Sequence, residues 1–188
     1  QSLCAKTLLL EKGRVTHLGD TKKAIEKYLN STKNFLSVPI NERQDRKGSG
    51  SLRFTDLKIE TPTQTDYLVT GKPFKVKLYF SVNEEYEELN NVSVSFTIND
   101  QINGNHLLAF WTETSGSNFK ISNNEKYIEC QVSKCHLVCG QYFINIYCTV
   151  NGVMSDYVIN AAQVMVDDTE YFSRGTRDAN NHPKYVVD

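Results

Sequence analysis

The stretch that decides the fold is Pro73-Phe74-Lys75-Val76-Lys77-Leu78-Tyr79-Phe80-Ser81, in which apolar and polar side chains alternate. A period of two is typical of a β-strand with one buried face and one free face. The predicted buried set is Phe74, Val76, Leu78 and Phe80. The predicted free face carries Lys75, Lys77 and Tyr79. Such a face is either an ordinary solvated surface or a platform for a sugar, and the pattern alone leaves both interpretations open.

Similar short alternating segments fill the chain from residue 51 onward and are separated by turns. The predicted strands are 52–59, with a bulge near Thr55-Asp56, then 73–81, 92–98, 106–112, 127–132, 141–150 and 157–166. Seven or more short strands without a second helical pattern predict an all-β fold, an antiparallel immunoglobulin-like or jelly-roll β-sandwich over residues 51–188.

The first fifty residues have a different pattern. Thr7–Glu11 and Arg14–Leu18 predict a hairpin that turns at Lys12-Gly13. Asp20 or Thr21 is expected to cap an amphipathic helix that continues to Leu29. We therefore expect a small hairpin-plus-helix unit over residues 1–30. Residues 31–50 are polar and charged, and they predict a linker in which Arg43, Arg46 and Lys47 form a solvated hinge; the alternative is a contact with a lipid headgroup or a partner.

Composition excludes several classes of function. The formal net charge of −1 over 188 residues gives no global field that would attract nucleic acid or an anionic membrane. No segment approaches the roughly 18 apolar residues of a membrane-spanning helix. We therefore expect no nucleic-acid partner.

The cysteines include the spacing Cys130-x4-Cys135-x3-Cys139, which superficially suggests a metal cluster. Zinc sites usually pair cysteines as C-x2-C with a second pair or histidines downstream. The irregular spacing also does not match a disulfide framework. We expect thiols in a reducing compartment, with no metal and no cofactor.

The N-terminal unit resembles the end of ABC-transporter ATPase domains, in the branch that exports polysaccharides. The residues that carry the resemblance are Cys4, Leu10, Gly13, Arg14, Val15, Gly19, Asp20, Ile25, Tyr28 and Leu29. The phosphate loop, magnesium carboxylate and signature motif of such a domain would lie upstream of Gln1. Gly71-Lys72-Pro73 does not have the spacing of a phosphate loop.

The second part carries Leu137-x-x-Gly140-x-Tyr142-x-Ile144-x-Ile146, Thr70-Gly71-x-Pro73-Phe74 and Val94-x-Phe96-x-Ile98-x-Asp100. Together with the N-terminal unit, these motifs resemble the C-terminal half of the Wzt-type ATPase subunits of O-antigen polysaccharide ABC exporters. The resemblance implies a cytoplasmic domain, peripheral on the inner membrane in the full transporter. It further implies binding of the modified non-reducing end of a lipid-linked O-polysaccharide, which is thereby coupled to export.

The same resemblance implies two protein partners. One is the transmembrane permease subunit, reached through the parent ATPase. The other is a second copy of the chain, in a homodimer formed by exchange of the last strand, for which Lys184–Val187 is the candidate. An alternative function is therefore a dimerisation or gating module of the exporter that does not bind glycan directly.

Catalysis within these residues is not expected. None of the histidines His17, His106, His136 and His182 sits in a pattern that would pair a nucleophile with a base. Adjacent carboxylates such as Glu84 and Glu85 lie in charge-rich loops, where solvation is the better interpretation. We predict that the chain is not an enzyme.

Glycan binding needs aromatic rings to stack on sugar faces, and amides, hydroxyls or cations to fix their orientation. The outward-facing strand positions supply both kinds of group. The candidate glycan-binding residues are Lys75, Lys77, Tyr79, Ser95, Trp111, Phe143, Asn145 and Tyr147. For Phe143 and Tyr147 the alternative is a second core under a loop or an exchanged strand, and for Trp111 it is core packing. His106 is expected to be solvated or hydrogen-bonded. The set forms one site only if strands 73–81 and 142–150 share a sheet.

Overall fold

The computed structural model describes residues 6–11, 13–21, 23–24, 36–101, 104–113, 116 and 118–167. The chain divides into two compact units, residues 1–38 and residues 39–188. Among the described residues no helix is long and apolar enough to cross a membrane. The predicted exchange strand Lys184–Val187 lies outside the described residues.

The first unit contains the predicted hairpin. Strand β1 (Thr7–Glu11) pairs antiparallel with β2 (Arg14–Gly19). Thr21, Lys23 and Ala24 are helical, and Lys23 donates its main-chain N–H to Asp20 Oδ1 at 3.0 Å, so Asp20 caps this turn. The rest of the predicted helix, through Leu29, lies outside the described residues.

The second unit is an all-β sandwich, as predicted. Its strands are β3 (Leu52–Glu60), β4 (Tyr67–Val69), β5 (Phe74–Val82), β6 (Glu88–Asp100), β7 (His106–Trp111), β8 (Phe119–Ser122), β9 (Tyr127–Val132), β10 (Gly140–Val150) and β11 (Val153–Asp167). The larger sheet has the order β4-β11-β10-β6-β7, with β8 also paired to β6, and the smaller sheet has the order β3-β5-β9. All pairs are antiparallel except that between β4 and β11.

The core lies between the two sheets and follows the alternation in the sequence. Strand β5 contributes the side chains predicted to be buried, Phe74, Val76, Leu78 and Phe80. The larger sheet contributes Val94, Phe96 and Ile98 of β6 and Ile144, Ile146 and Cys148 of β10 to the same core. The bulge predicted near Thr55-Asp56 is present as a register shift between Phe54 and Asp56.

Two strands were not predicted, and β6 and β11 are longer than predicted. Strand β4 lies between the predicted strands 52–59 and 73–81, and β8 is only 4 residues long. Strand β6 extends to Asp100, two residues beyond the predicted strand 92–98, although asparagine and aspartate favour turns. Asn99 is buried and paired with β10 and β7, so tertiary pairing overrides the local preference of asparagine.

The interpretation of Arg43 and Arg46 as a solvated hinge is wrong. Residues 39–50 belong to the same compact unit as the sandwich, and both arginines are largely buried. Arg46 donates to the buried carboxylate of Asp156 and to the carbonyl oxygens of Ile40 and Phe54. The buried Asp156 supplies the opposite charge that makes this burial possible.

The segment after these arginines lies against the edge of β11. Lys47 and Tyr157 exchange two main-chain hydrogen bonds, at 3.1 and 2.8 Å. Gly48 has a φ of +123°, and a Cβ at this position would collide with the main chain at Ser155. A glycine is therefore required for the close approach.

Candidate functional site

The candidate glycan-binding residues divide between the two sheets, so the prediction of a single site is wrong. Lys75, Lys77 and Tyr79 lie on β5 in the smaller sheet. The other five lie in the larger sheet, and their positions are Ser95, Trp111, Phe143, Asn145 and Tyr147. Alternation in a sequence fixes which face a side chain takes but not which sheet its strand joins.

On the smaller sheet the lysines are already paired with carboxylates. Lys75 Nζ lies 3.0 Å from Glu129 Oε1, and Lys77 Nζ lies 2.7 Å from Glu60 Oε1. The hydrogen bond to Glu60 raises the pKa of Lys77. The rings of Tyr79 and Tyr127 are 5.4 Å apart. This face is a neutralised network of surface ion pairs, which matches the solvated-surface interpretation of the sequence.

The larger sheet carries a line of directly paired side chains across four strands. Ser95 of β6 pairs with Trp111 of β7 on one side and with Tyr147 of β10 on the other, and Tyr147 pairs with Tyr157 of β11. The rings of Trp111 and Tyr147 are 6.3 Å apart across Ser95, and those of Tyr147 and Tyr157 meet edge to face at 5.7 Å. We call these four residues the aromatic row.

The aromatic row is partly open to solvent. The Trp111 residue is 42% exposed, and Tyr147 and Tyr157 are half-buried. Core packing of Trp111, the alternative considered from the sequence, does not fit this exposure. Because Ser95 is small, it separates two large rings without covering either of them. Exposed rings on a rigid sheet form a surface on which an apolar face can stack.

Asn145 has a structural contact at the position next to the row. Its Oδ1 accepts a 2.8 Å hydrogen bond from the main-chain N–H of Asn160. Asn160 lies in a bulge of β11 and has a φ of 51°. The side-chain oxygen of Asn145 therefore stabilises the bulge.

The far end of the same face is polar and largely buried. His106 Nδ1 lies 2.6 Å from Asn99 Oδ1, and because an amide oxygen only accepts, the imidazole is the donor. The hydrogen-bonded state expected for His106 is therefore present. Phe143 pairs with Asn99 and is only 6% exposed, so it is the least accessible of the predicted aromatic residues in this sheet.

Sequence reasoning missed Tyr157 and Asn99 as members of this face. Tyr157 was placed at the start of a strand but was not selected, although the even spacing of Val158, Val164 and Val166, which are buried, indicates that Tyr157 faces outward. Asn99 lies just beyond the predicted strand 92–98, and Thr97 lies within that strand but was not selected.

Among the described cysteines, Cys130 lies on β9 of the smaller sheet and Cys148 lies on the core face of β10. Among the described residues, no group of three histidine, cysteine, aspartate or glutamate side chains is arranged to hold a metal. Burial raises the pKa of the Cys130 and Cys135 thiols, and that of Cys148 to about 12. A raised pKa disfavours the thiolate that metal ligation and nucleophilic chemistry require.

Comparison with known families assigns the chain. The family profile of the Wzt C-terminal domain matches residues 43–178. The chain belongs to the Wzt C-terminal domain family. Membership is consistent with a role in the O-antigen ABC transporter, and the family domain is non-catalytic. No curated protein matches the chain.

Solved structures support the fold. The chain is similar to the crystal structure of the C-terminal domain of Wzt, with a TM-score of 0.57 and 14% sequence identity over 66% of this chain and 79% of that chain. A CARDB domain of Pyrococcus furiosus in complex with di-metal ions matches with a TM-score of 0.33 and 17% identity, over 60% of this chain and 89% of that chain. The PmoD soluble domain of Methylocystis sp. matches with a TM-score of 0.34 and 10% identity, over 59% of this chain and 89% of that chain. The last two scores are too low to bear on this chain.

Proposed function

We propose that this chain is a non-catalytic module that binds an O-antigen polysaccharide at its modified non-reducing end and so couples the finished polymer to its ABC exporter. The observation that carries the proposal is the aromatic row, in which Trp111, Tyr147 and Tyr157 stand side by side on one face of the larger sheet. Aromatic rings bind the apolar faces of sugars, and this family is associated with O-antigen export.

The rigidity of the sheet supports the proposal. Ser95 and Tyr147 are paired within the central strands β6 and β10, whose register runs without a break from Val92 to Asp100. Side chains held on paired strands lose little conformational freedom when they bind a ligand. The row is therefore a preorganised surface.

A titration calorimetry experiment tests the function. The full 188-residue chain is titrated with delipidated O-polysaccharide purified from the strain that encodes it, and with a polysaccharide of unrelated repeat structure as the unmatched probe. We expect saturable binding of the matched polymer only. Trp111→Ala and Tyr147→Ala should each weaken it by about tenfold through lost stacking.

Tyr79→Ala is the matched control, because it removes an aromatic ring from the exposed face of the other sheet. Its affinity should equal that of the unmodified chain, and far-ultraviolet circular dichroism should show that all three variants fold. Equal losses in all three variants would remove the aromatic row from the proposal. A stable dimer in sedimentation analysis, with no affinity for either polymer, would favour the dimerisation or gating function instead.

A further inference from the structure

The face that carries the aromatic row also holds two buried polar atoms with unused hydrogen-bonding capacity. Thr97 Oγ1 and Asn99 Nδ2 have no hydrogen-bond partner among the described residues. Thr97 is 9% exposed and Asn99 is 3% exposed. Buried polar groups nearly always have partners, because an unpaired one forfeits the hydrogen bond that water would have given it. Two such atoms on β6 therefore suggest that a ligand with hydrogen-bonding groups binds to this part of the face.

The geometry of this part of the face suits a single small ring. Thr97 and Asn99 are two positions apart on β6, so their side chains share a face at a spacing of about 7 Å. The hydrogen bond to His106 fixes the amide of Asn99 through its oxygen, which leaves the Nδ2 group as the donor. One sugar ring carries acceptor oxygens on opposite sides and can therefore reach both groups.

The smallest cross-strand neighbour of Thr97 lies on β7. The register partner of Thr97 on that strand is Ala109, which contributes only a methyl group and is exposed. Larger side chains flank it on the same strand, Trp111 on one side and His106 on the other. We call the position of Ala109 between these two larger side chains the notch, and Trp111 beside it also belongs to the aromatic row.

The charge of the face restricts what the notch can bind. From Ser93 to Asn99 on β6, and at the register partners on β7, β10 and β11, the positions that share the face of Tyr147 hold no aspartate, glutamate, lysine or arginine. Their polar groups are hydroxyls, amides and the His106 imidazole. Hydrogen bonds to a phosphate or a carboxylate are strongest when the donor is charged, and burial of an unpaired anion is strongly unfavourable.

We propose that Thr97 Oγ1 and Asn99 Nδ2 form a subsite that hydrogen-bonds one uncharged sugar residue beside Trp111. The inference rests on the proposed function and specifies its ligand class, a glycan whose bound residue carries hydroxyl or acetamido groups and no acidic group. The subsite excludes glycans in which the residue at this position is a uronic acid or carries a phosphate.

Thr97→Val tests the subsite, because valine keeps the shape of threonine and removes only the hydroxyl. In calorimetry with the delipidated O-polysaccharide of the source strain, the variant should bind about threefold to tenfold more weakly, the effect of one hydrogen bond. The same variant should have a higher Tm, because it no longer buries an unpaired hydroxyl. Thr97→Ser keeps the hydroxyl and should retain the affinity. Thr97→Ala serves as a second deletion of the hydroxyl if the valine variant does not fold.

Thr149→Val is the matched control. Thr149 is a largely buried threonine on the same face, and its register partner Ser93 lies four residues from Thr97, about 13 Å along the strand. Its substitution should leave the affinity unchanged. The prediction that the bound sugar residue is uncharged is tested by measuring the affinity at different salt concentrations. The affinity for a neutral sugar residue should change less than about twofold between about 50 and 500 mM NaCl.

The possible results separate the subsite from the function. Unchanged binding by Thr97→Val, together with lost binding by Trp111→Ala, would overturn the subsite and leave the proposed function in place. A steep loss of affinity as the salt concentration rises would contradict the prediction that the bound sugar residue is uncharged. If the unmodified chain does not bind its own polysaccharide, the function and the subsite both fail.

Discussion

Asn160 donates its main-chain N–H to Asn145 Oδ1 at 2.8 Å, and this bond holds a bulge directly beside the aromatic row. Residues 144–146 of β10 face residues 158–162 of β11, so β11 carries two extra residues here. Arg43 donates to the carbonyl oxygens of Ile159 and Asn160 at 2.8 Å each. The bulge is therefore held by Asn145 and by the segment that precedes the sandwich.

Substitution of Asn145 should reveal this role through stability. Asn145→Leu removes the acceptor of the Asn160 N–H and should lower the free energy of unfolding by about 1 to 2 kcal/mol. Asn145→Asp keeps an oxygen at the same place and should stay closer to the original stability. Urea denaturation followed by fluorescence measures both, and equal stabilities for the leucine variant and the original chain would contradict the assignment.

Tyr157 should contribute to glycan binding through its neighbour. Its ring meets Tyr147 at an interplanar angle of 81°, an edge-to-face contact of a kind worth about 0.5 to 1.5 kcal/mol. Tyr157→Ala frees the Tyr147 ring and should weaken O-polysaccharide binding by about threefold to tenfold. Tyr157→Phe keeps the ring and should bind normally in the same titration. A large loss with phenylalanine would instead indicate that the hydroxyl contacts the ligand.

The buried ion network around Asp156 should dominate the electrostatic contribution to stability. Asp156 is fully buried and accepts hydrogen bonds from Arg46, Arg53 and the Phe54 main chain. Asp156→Asn leaves the largely buried Arg46 without its counter-charge and should cost about 3 to 5 kcal/mol. Glu129→Gln, which breaks a surface pair with Lys75, should cost less than about 1 kcal/mol. Chemical denaturation measures the free energy of unfolding of both variants. Similar losses in Asp156→Asn and Glu129→Gln would contradict the distinction between a buried and a surface ion pair.

These arginines illustrate what the sequence can and cannot predict. The alternation in β5 predicted its buried face correctly, because hydrophobic burial imposes a period of two on any strand of a sandwich. Arg43 and Arg46 lie in a polar segment without a period, and a partner more than a hundred residues away determines their burial. Local pattern contains no information about such a partner.

The candidate site shows the same division. Ser95 and Tyr147 were placed on an outward face correctly, whereas core packing was considered for Trp111, and the register across β7, β6 and β10 brings the three residues together. Lys77 had an equally suitable pattern but belongs to the other sheet. Sheet membership depends on the topology of the whole chain, so it could not be predicted from the strand alone.

The ion pair between Arg43 and Asp45 should make the free energy of unfolding depend on pH in the acidic range. The hydrogen bond from Arg43 lowers the pKa of Asp45 below the usual value of an aspartate. A carboxyl with a depressed folded-state pKa contributes stability above its unfolded pKa and loses it as pH falls through the folded one. The stability difference between the original chain and Asp45→Asn should therefore be constant above about pH 5 and shrink below about pH 4.

Asp45 is partly exposed, so this difference should not exceed about 1 kcal/mol. Thermal unfolding from pH 7 to pH 3 measures it. The exposed Asp66 provides the matched control, Asp66→Asn. A difference for Asp45→Asn that grows as the pH falls would contradict the assigned contact.

The thiols should react in an order set by burial. Cys139 is exposed, whereas Cys135 and Cys148 are buried, and burial raises the pKa of Cys148 to about 12. Iodoacetamide at pH 8 should alkylate Cys139 in the native chain and reach Cys148 only after denaturant is added, since the thiolate is the reactive form. Peptide mass spectrometry gives the order, and early modification of Cys148 would show that the core opens readily.

The pairing of Lys47 with Tyr157 also bears on solubility. An uncovered sheet edge offers its main-chain groups to any other chain, and exposed apolar side chains increase that risk. Val153, Met154 and Ile159 are all exposed along this stretch of β11. The N–H groups of Lys47, Ser49 and Gly50 occupy the carbonyl oxygens of this stretch at Tyr157, Met154 and Ser155. The segment that precedes the sandwich thus protects this edge from aggregation. A fragment that begins at residue 51 would expose the unpaired edge of β11 and should aggregate more readily.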